Sequence, residues 1–143
     1  MLTGKKIVLG VSGGIAAYKM ANVASMLSKL HADIHVVMTE NATHFITPET
    51  FEVLTGNHCY TDTFDRCMEL HVPHIALGTQ ADAILIAPAS ADVVGKIANG
   101  IADDMLTTCV LPATCPVMLA PSMNVHMYEN PIVQDNMKKL VSY

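Results

Sequence analysis

Asn124 is a lone carboxamide set between Met123 and Met127, bracketed by Pro121 and Pro131, and it follows an apolar run at 116–119 that reads as a buried strand. A group just beyond the carboxyl end of a strand stands where open α/β sheets bind their ligands. An amide there, in apolar surroundings, suits a site that grips a carboxylate, because leaving it buried without a partner is costly. The same spacing fits an ordinary helix N-cap, which on spacing alone is the simpler reading. A second segment, Gly10-Val11-Ser12-Gly13-Gly14-Ile15, leads from an apolar run into a helical pattern. Glycines let a phosphate approach the backbone, and a helix N-terminus offers free N–H groups and a positive dipole. It is neither Gly-x-Gly-x-x-Gly nor a Walker sequence, so a tight strand–helix turn competes evenly with phosphate binding. Thr39, ending the next apolar run, adds a hydroxyl at the same edge. A third segment, Pro88-Ala89-Ser90-Ala91-Asp92, follows another apolar run. Its small residues leave room for a flat ring, and Asp92 or main-chain groups could bond the ring's edge; Ser90 or Asp92 as a plain N-cap is the competing reading. His74 is the best acid/base candidate, since imidazole is the side chain most readily poised near neutral pH. His71 lies three residues before it, but no convincing third and fourth ligand accompanies the pair, so no metal site is expected. His31, His35, His44, His58 and His126 have no comparable context and receive no role.

These groups need elements to hold them. Strands are predicted at 7–11, 34–38, 83–87 and 117–120, and helices at 15–30, 48–54, 73–79, 91–99, 103–111 and 131–141. Within 15–30 the apolar positions Ala17, Ala21, Ala24, Leu27 and Leu30 recur at three and four, which is one helix face. Thr47-Pro48-Glu49 places a cap, a proline at the first helical position and an early acid. Phe45 is expected in the core, with packing near a bound ring as its alternative. Strands apolar throughout and separated by helices imply a parallel sheet covered on both faces. The predicted fold is a single doubly wound, flavodoxin-like α/β domain over 1–143.

With 143 residues the chain can bury a real core. Apolar residues make up 51% and charged residues 15%, so an unusual share of surface is expected between chains. Ten Met and no Trp point to adaptable packing. The net charge of -5 and the lack of a basic run argue against a nucleic-acid partner. No targeting segment is visible, and the apolar runs are far too short to cross a membrane. Cys59, Cys67, Cys109 and Cys115 form no Cys-x-x-Cys pair, so reduced, mostly buried thiols in a cytoplasmic protein are expected.

The segment 121–128 resembles the Pro-x-Met-Asn-x-x-Met-Trp motif of the flavin-dependent cysteine decarboxylases, with Tyr128 where the motif has Trp. Residues 88–93 resemble the same family's Pro-Ala-Ser-Ala-Asn-Thr motif, departing at Asp92 and Val93. His74-Ile75-Ala76-Leu77 is similar to its His-Ile-x-Leu segment. The stretch from Gly95 to Thr107 looks like its pantothenate-pathway branch. With the glycine loop, the likeness runs from about Gly4 to the end, its motifs in the family's order.

The resemblance implies FMN as cofactor, held by Ser12, Gly13, Gly14, Ile15, Thr39, Phe45, Ser90, Ala91, Asp92, Val93, Ser122 and Met123, with His74 and Asn124 catalytic. It implies a site between subunits of a homotrimer, in some relatives built into a dodecamer. The implied reaction is oxidation of a cysteine-derived substrate, then loss of carbon dioxide, then return of hydride, turning 4′-phosphopantothenoylcysteine into 4′-phosphopantetheine for coenzyme A. Two other functions belong to the same family: a peptidyl-cysteine decarboxylase of lantibiotic maturation, and a non-catalytic flavin-binding regulatory subunit. In the pantothenate branch a cysteine in an Ala-Cys-Gly context gives the last proton, and none of the four cysteines here has that context. The chain is therefore expected to be a decarboxylase domain without its C-terminal substrate clamp, with a ligase domain fused in the full protein.

Overall fold

The structure, a computed structural model, describes residues 1–65 and 73–143. Cys67 and His71 lie outside the described residues. The four apolar runs form strands β1 (Lys6–Val11), β2 (Asp33–Met38), β3 (Ala83–Ala89) and β4 (Val117–Pro121), each one to two residues longer than the pattern predicts. They pair in parallel in the order β2-β1-β3-β4. Successive side chains alternate between faces. Val8, Val37, Ile84 and Ile86 pack into one core, and Leu9, Val11, Ile34, Val36 and Met38 into the other. Helices α1 (Met20–Lys29) and α2 (Pro48–Thr55) close the second core with Ala24 and Phe51. The first is closed by α3 (Pro73–Gln80), α4 (Ala91–Ala98) and α5 (Met105–Val110) through Leu77, Val93, Val94 and Leu106. A short α6 (Val125–Glu129) leads into α7 (Pro131–Val141), whose Met137 and Leu140 pack on that same core. The doubly wound sheet inferred from the alternation of apolar runs is the architecture observed.

Departures from the predicted elements have local causes. The helix expected over 15–30 begins instead as a 3₁₀ turn, Ile15–Lys19, because Gly14 offers no side chain to cap the first N–H groups. Tighter turns are a common way to satisfy such ends, and here the Ala17 N–H donates to the Gly14 carbonyl at 2.9 Å. The helix expected from 103 starts at Met105 because Asp104 caps it, accepting from the Thr107 N–H at 2.8 Å while Thr107 Oγ1 accepts from the Asp104 N–H at 3.2 Å. That reciprocal pair is a capping box. Thr47 occupies the N-cap position of α2, yet its hydroxyl pairs with that of Thr50 at 3.2 Å and caps no N–H group. Tyr60 adds a one-residue parallel bridge beside β2, with no pattern in sequence to announce it. His58 anchors the neighbouring segment between Glu52 (2.9 Å) and Asp65 (2.6 Å).

Phe45 overturns an expectation. It is 45% exposed at the end of the 3₁₀ turn Asn41–His44, because Ala42 takes the inward position of that turn. Cys59 and Cys109 are buried free thiols, as expected, and Cys115 is half-buried. Burial first, and then the Glu52 and Glu49 charges, push the Cys59 thiol up to about 12. Burial and Asp104 do the same to Cys109, also to about 12. No helix among the described residues is long and apolar enough to cross a membrane.

Candidate functional site

The chain leaves β1 toward β2 on one side and later returns to β3 on the other. The strand order therefore reverses between β1 and β3, and a crevice opens at their carboxyl ends, the usual ligand position in such sheets. Ser12 fastens the two strand ends together. Its hydroxyl donates to the Pro88 carbonyl and accepts from the Ser90 N–H at 2.9 Å. Ser12 is 0% exposed, so this hydroxyl serves the scaffold of the crevice rather than its open surface. Ser90 in turn caps α4, its Oγ accepting from the Val93 N–H at 3.3 Å. The Ser122 N–H donates to the Ala89 carbonyl at 3.0 Å, which fixes the start of the third loop.

Two adjoining clefts occupy this edge. One, of about 410 Å³, is lined by Gly13, Thr39, Ser90, Ala91, Asp92 and Val93 together with Glu40, Asn41, Lys96, Asp103, Asp104 and Met127. The other, of about 390 Å³, is lined by Gly13, Gly14, Ile15, Ser90, Ala91, Ser122, Met123, Asn124 and Met127. They share Gly13, Ser90, Ala91 and Met127, and each falls in the size range of small-molecule sites. The structure thus gathers most of the sequence-predicted site residues, Ser12 lying just beneath them. Phe45 and His74 line neither cleft.

The glycine loop is fitted to close approach. A Cβ on Gly13 would overlap Asn41, whereas one on Gly14 would meet only Pro88 Cγ at 3.8 Å. Gly14 has an extended backbone, φ -154° and ψ 159°, so its lack of a side chain answers no internal demand and leaves the cleft wall open. Thr39 is nearly buried and its Oγ1 accepts from the Ala42 N–H at 3.2 Å. Asn124 is the N-cap of α6, its Oδ1 accepting from the His126 N–H at 2.9 Å. The cap and the ligand-gripping amide are therefore compatible: the carbonyl oxygen is engaged, and the amide nitrogen remains as a donor at the cleft.

Charge enters through the α4 turn. Lys96 Nζ lies 3.3 Å from Asp92 Oδ2, one helical turn back, and 3.2 Å from Asp103 Oδ1. Burial pulls the Lys96 ammonium down in pKa, but the Asp103 hydrogen bond and the Asp92 charge outweigh it, and its pKa is raised overall. The Asp92 carboxylate, expected at a ring edge, is thus held by a lysine. Lys96, Asp103 and Asn41 carry no role in the sequence reading. The i,i+4 spacing of Asp92 and Lys96 was the available signal for one of them, while Asn41 and Asp103 reach the cleft only through tertiary folding.

His74 sits in the first turn of α3, and its Nδ1 is buried with no hydrogen-bond partner among the described residues. A buried ring nitrogen left without a partner is expensive. No group of His, Cys, Asp and Glu among the described residues could hold a metal ion.

A family profile described as Flavoprotein matches residues 1–143. The coenzyme A biosynthesis bifunctional protein CoaBC of Bacillus subtilis is 49% identical over 140 residues, covering 98% of this chain and 34% of that protein. Its namesake from Mycolicibacterium smegmatis is 44% identical, covering 98% and 33%. The chain thus spans about a third of the length of these curated relatives. Among solved structures, the FMN-dependent cysteine decarboxylase SpaF superposes with a TM-score of 0.91 at 37% identity, covering 99% of this chain and 82% of that one. A PPC decarboxylase mutant complexed with pantothenoylaminoethenethiol gives 0.83 at 30% identity, covering 96% and 78%. The strand-end loops that build the cleft lie within these matches, and the chain belongs to the flavoprotein family, with the fold of its cysteine decarboxylases.

Proposed function

We propose that this chain binds FMN and decarboxylates 4′-phosphopantothenoylcysteine to 4′-phosphopantetheine, as the decarboxylase part of a longer bifunctional protein that also carries a ligase. The observation that carries this reading is the convergence of the glycine loop, the 90–93 turn and the 122–124 loop on one crevice at the strand reversal. The ligase follows from the bifunctional relatives, of which this chain matches a third.

The residues present fit the cofactor. Gly13 offers its backbone N–H to a phosphate. Gly14, whose N–H donates to the Ser12 carbonyl at 3.1 Å, leaves the cleft wall open for its approach. Thr39 stands at the next strand end, and Ser90, Ala91 and Met123 leave space for a flat ring. When bound, FMN supplies two-electron oxidation at the substrate's cysteine-derived carbon. The protein's own part is orientation and proton handling. Asn124 Nδ2 donates to the substrate carboxylate, and the apolar Met123 and Met127 beside it keep water away and strengthen that bond. His74 takes or holds a proton at an imidazole nitrogen.

His74 lines neither cleft that holds Asn124 or the glycine loop, and its Nδ1 has no partner among the described residues. A second copy of the chain, bringing its cleft to this histidine, answers both facts. Exposed apolar side chains supply surface for such an assembly: Ile15 at 72%, Met118 at 52%, and also Tyr18 and Ile132. A homotrimer, alone or within a dodecamer, is the proposed form. The compartment is the cytoplasm, consistent with buried free thiols.

A peptidyl-cysteine substrate is the second reading, supported by the resemblance in shape to the peptidyl-cysteine decarboxylase EpiD, TM-score 0.85 at 28% identity. The 49% identity to a coenzyme A enzyme favours the first. Offering the purified protein 4′-phosphopantothenoylcysteine together with a cysteine-terminated peptide separates them. Mass spectrometry should show loss of carbon dioxide from the small molecule alone; consumption of the peptide instead would reverse the assignment.

A further inference from the structure

We propose that Lys96 is the charge-balancing residue of the cofactor cleft, making an acid-lined wall tolerant of the cofactor's phosphate and so setting preference for the phosphorylated flavin over the neutral one. This rests on the FMN reading above.

The cleft that holds Gly13 and Thr39, the phosphate-side residues, is also lined by Glu40, Asp92, Asp103 and Asp104, and by a single cationic side chain, Lys96. Asp104 is engaged in capping α5 through Thr107. Asp92 and Asp103 both depend on Lys96, at 3.3 and 3.2 Å. Removing the ammonium would leave two uncompensated carboxylates on a wall that must admit a phosphate dianion. Between partly exposed groups such repulsion is moderate, is felt across a cleft of this size, and is weakened by salt. An ammonium carries three N–H donors, and these two partners leave one uncommitted among the described residues. Lys96 also links the first turn of α4 to the loop before α5, so its side chain holds in place the wall that it neutralises.

Two roles are therefore open to test, electrostatic balance and simple scaffolding, and they differ in what they do to a flavin without a phosphate. FMN and riboflavin are titrated into flavin-stripped protein, full-length as it occurs, by flavin fluorescence at about 20 mM and about 500 mM salt. Lys96→Gln should weaken FMN about tenfold at the lower salt and move riboflavin by less than about twofold. The FMN loss should shrink at the higher salt, and Lys96→Arg should retain wild-type affinity. Asp103→Asn added to Lys96→Gln should recover part of the FMN binding, because it deletes one of the two uncompensated anions. Equal loss of both flavins, an unchanged FMN affinity, or no recovery in the double variant would each overturn the proposal. Failure of the FMN reading itself shows separately, as wild-type protein that binds neither flavin, and takes this inference down with it.

Discussion

Asn124 allows a clean substitution because its two ends have different tasks. Its Oδ1 caps α6, and aspartate caps a helix as well as asparagine does. Asn124→Asp should therefore fold normally and hold flavin, yet it would replace an amide donor by an anion at the proposed position of the substrate carboxylate. Carbon dioxide release, followed with a carboxyl-labelled substrate, should fall at least about 100-fold; a normal rate would remove Asn124 from the site. His74→Asn should lose a similar factor and keep its colour, whereas a colourless variant would point to a structural role. The thiols give an independent check on burial. With Cys59 and Cys109 pushed up to about 12, almost no thiolate exists at pH 8, and the thiolate is the reactive form. Iodoacetamide treatment of native protein with peptide mapping should label Cys115 well before either.

At the scale of elements, the two glycines separate folding from binding. Gly13→Ala places a methyl group into Asn41, an overpacking that costs about 1–3 kcal/mol, so both stability and flavin should suffer. Gly14→Ala meets only a distant proline carbon. Thermal unfolding without flavin should be nearly unchanged while FMN affinity falls, and full FMN affinity in Gly14→Ala would contradict phosphate contact at that backbone. The strands were legible because a sheet covered on both faces demands uninterrupted apolar runs, and α1 was legible in large part from the three- and four-residue recurrence of its apolar positions. What stayed hidden depends on contacts across the chain. The bridge at Tyr60 is set by a partner strand 23 residues away, the 3₁₀ start at Ile15 by a missing cap, and the outward turn of Phe45 by Ala42 taking the inward position of its turn; no apolar periodicity records them. In the site, the glycine, 88–93 and 121–128 segments were readable as strand-end loops. That Ser12's hydroxyl is occupied by Pro88 and Ser90 was not, since those partners lie 76 and 78 positions away.

For the whole molecule, acid should act through a few tied carboxylates. Asp82 is lowered from the usual carboxylate value because the Lys6 backbone N–H and then Lys5 hydrogen-bond it. Asp33, despite some burial that opposes ionisation, is also lowered by Asn57 and His35. A folded-state pKa below the unfolded one gives stability that is present above about pH 4 and lost as pH falls through the folded value. Urea unfolding across that window should therefore show wild type losing more stability on acidification than an Asp33→Asn, Asp82→Asn double variant; identical pH slopes would refute the linkage. If exposed apolar side chains such as Ile15 and Met118 are covered in the proposed homotrimer, light scattering should give a multiple of three chains, and a flavin-loaded monomer would count against the proposed intersubunit site. Whether FMN in the crevice between β1 and β3 drives decarboxylation is read from the carbon dioxide released from carboxyl-labelled 4′-phosphopantothenoylcysteine by flavin-loaded, flavin-stripped and FMN-reconstituted protein. Release should be complete with the loaded protein, absent from the stripped protein and restored by FMN; equal release without flavin, or none with it, would contradict the account.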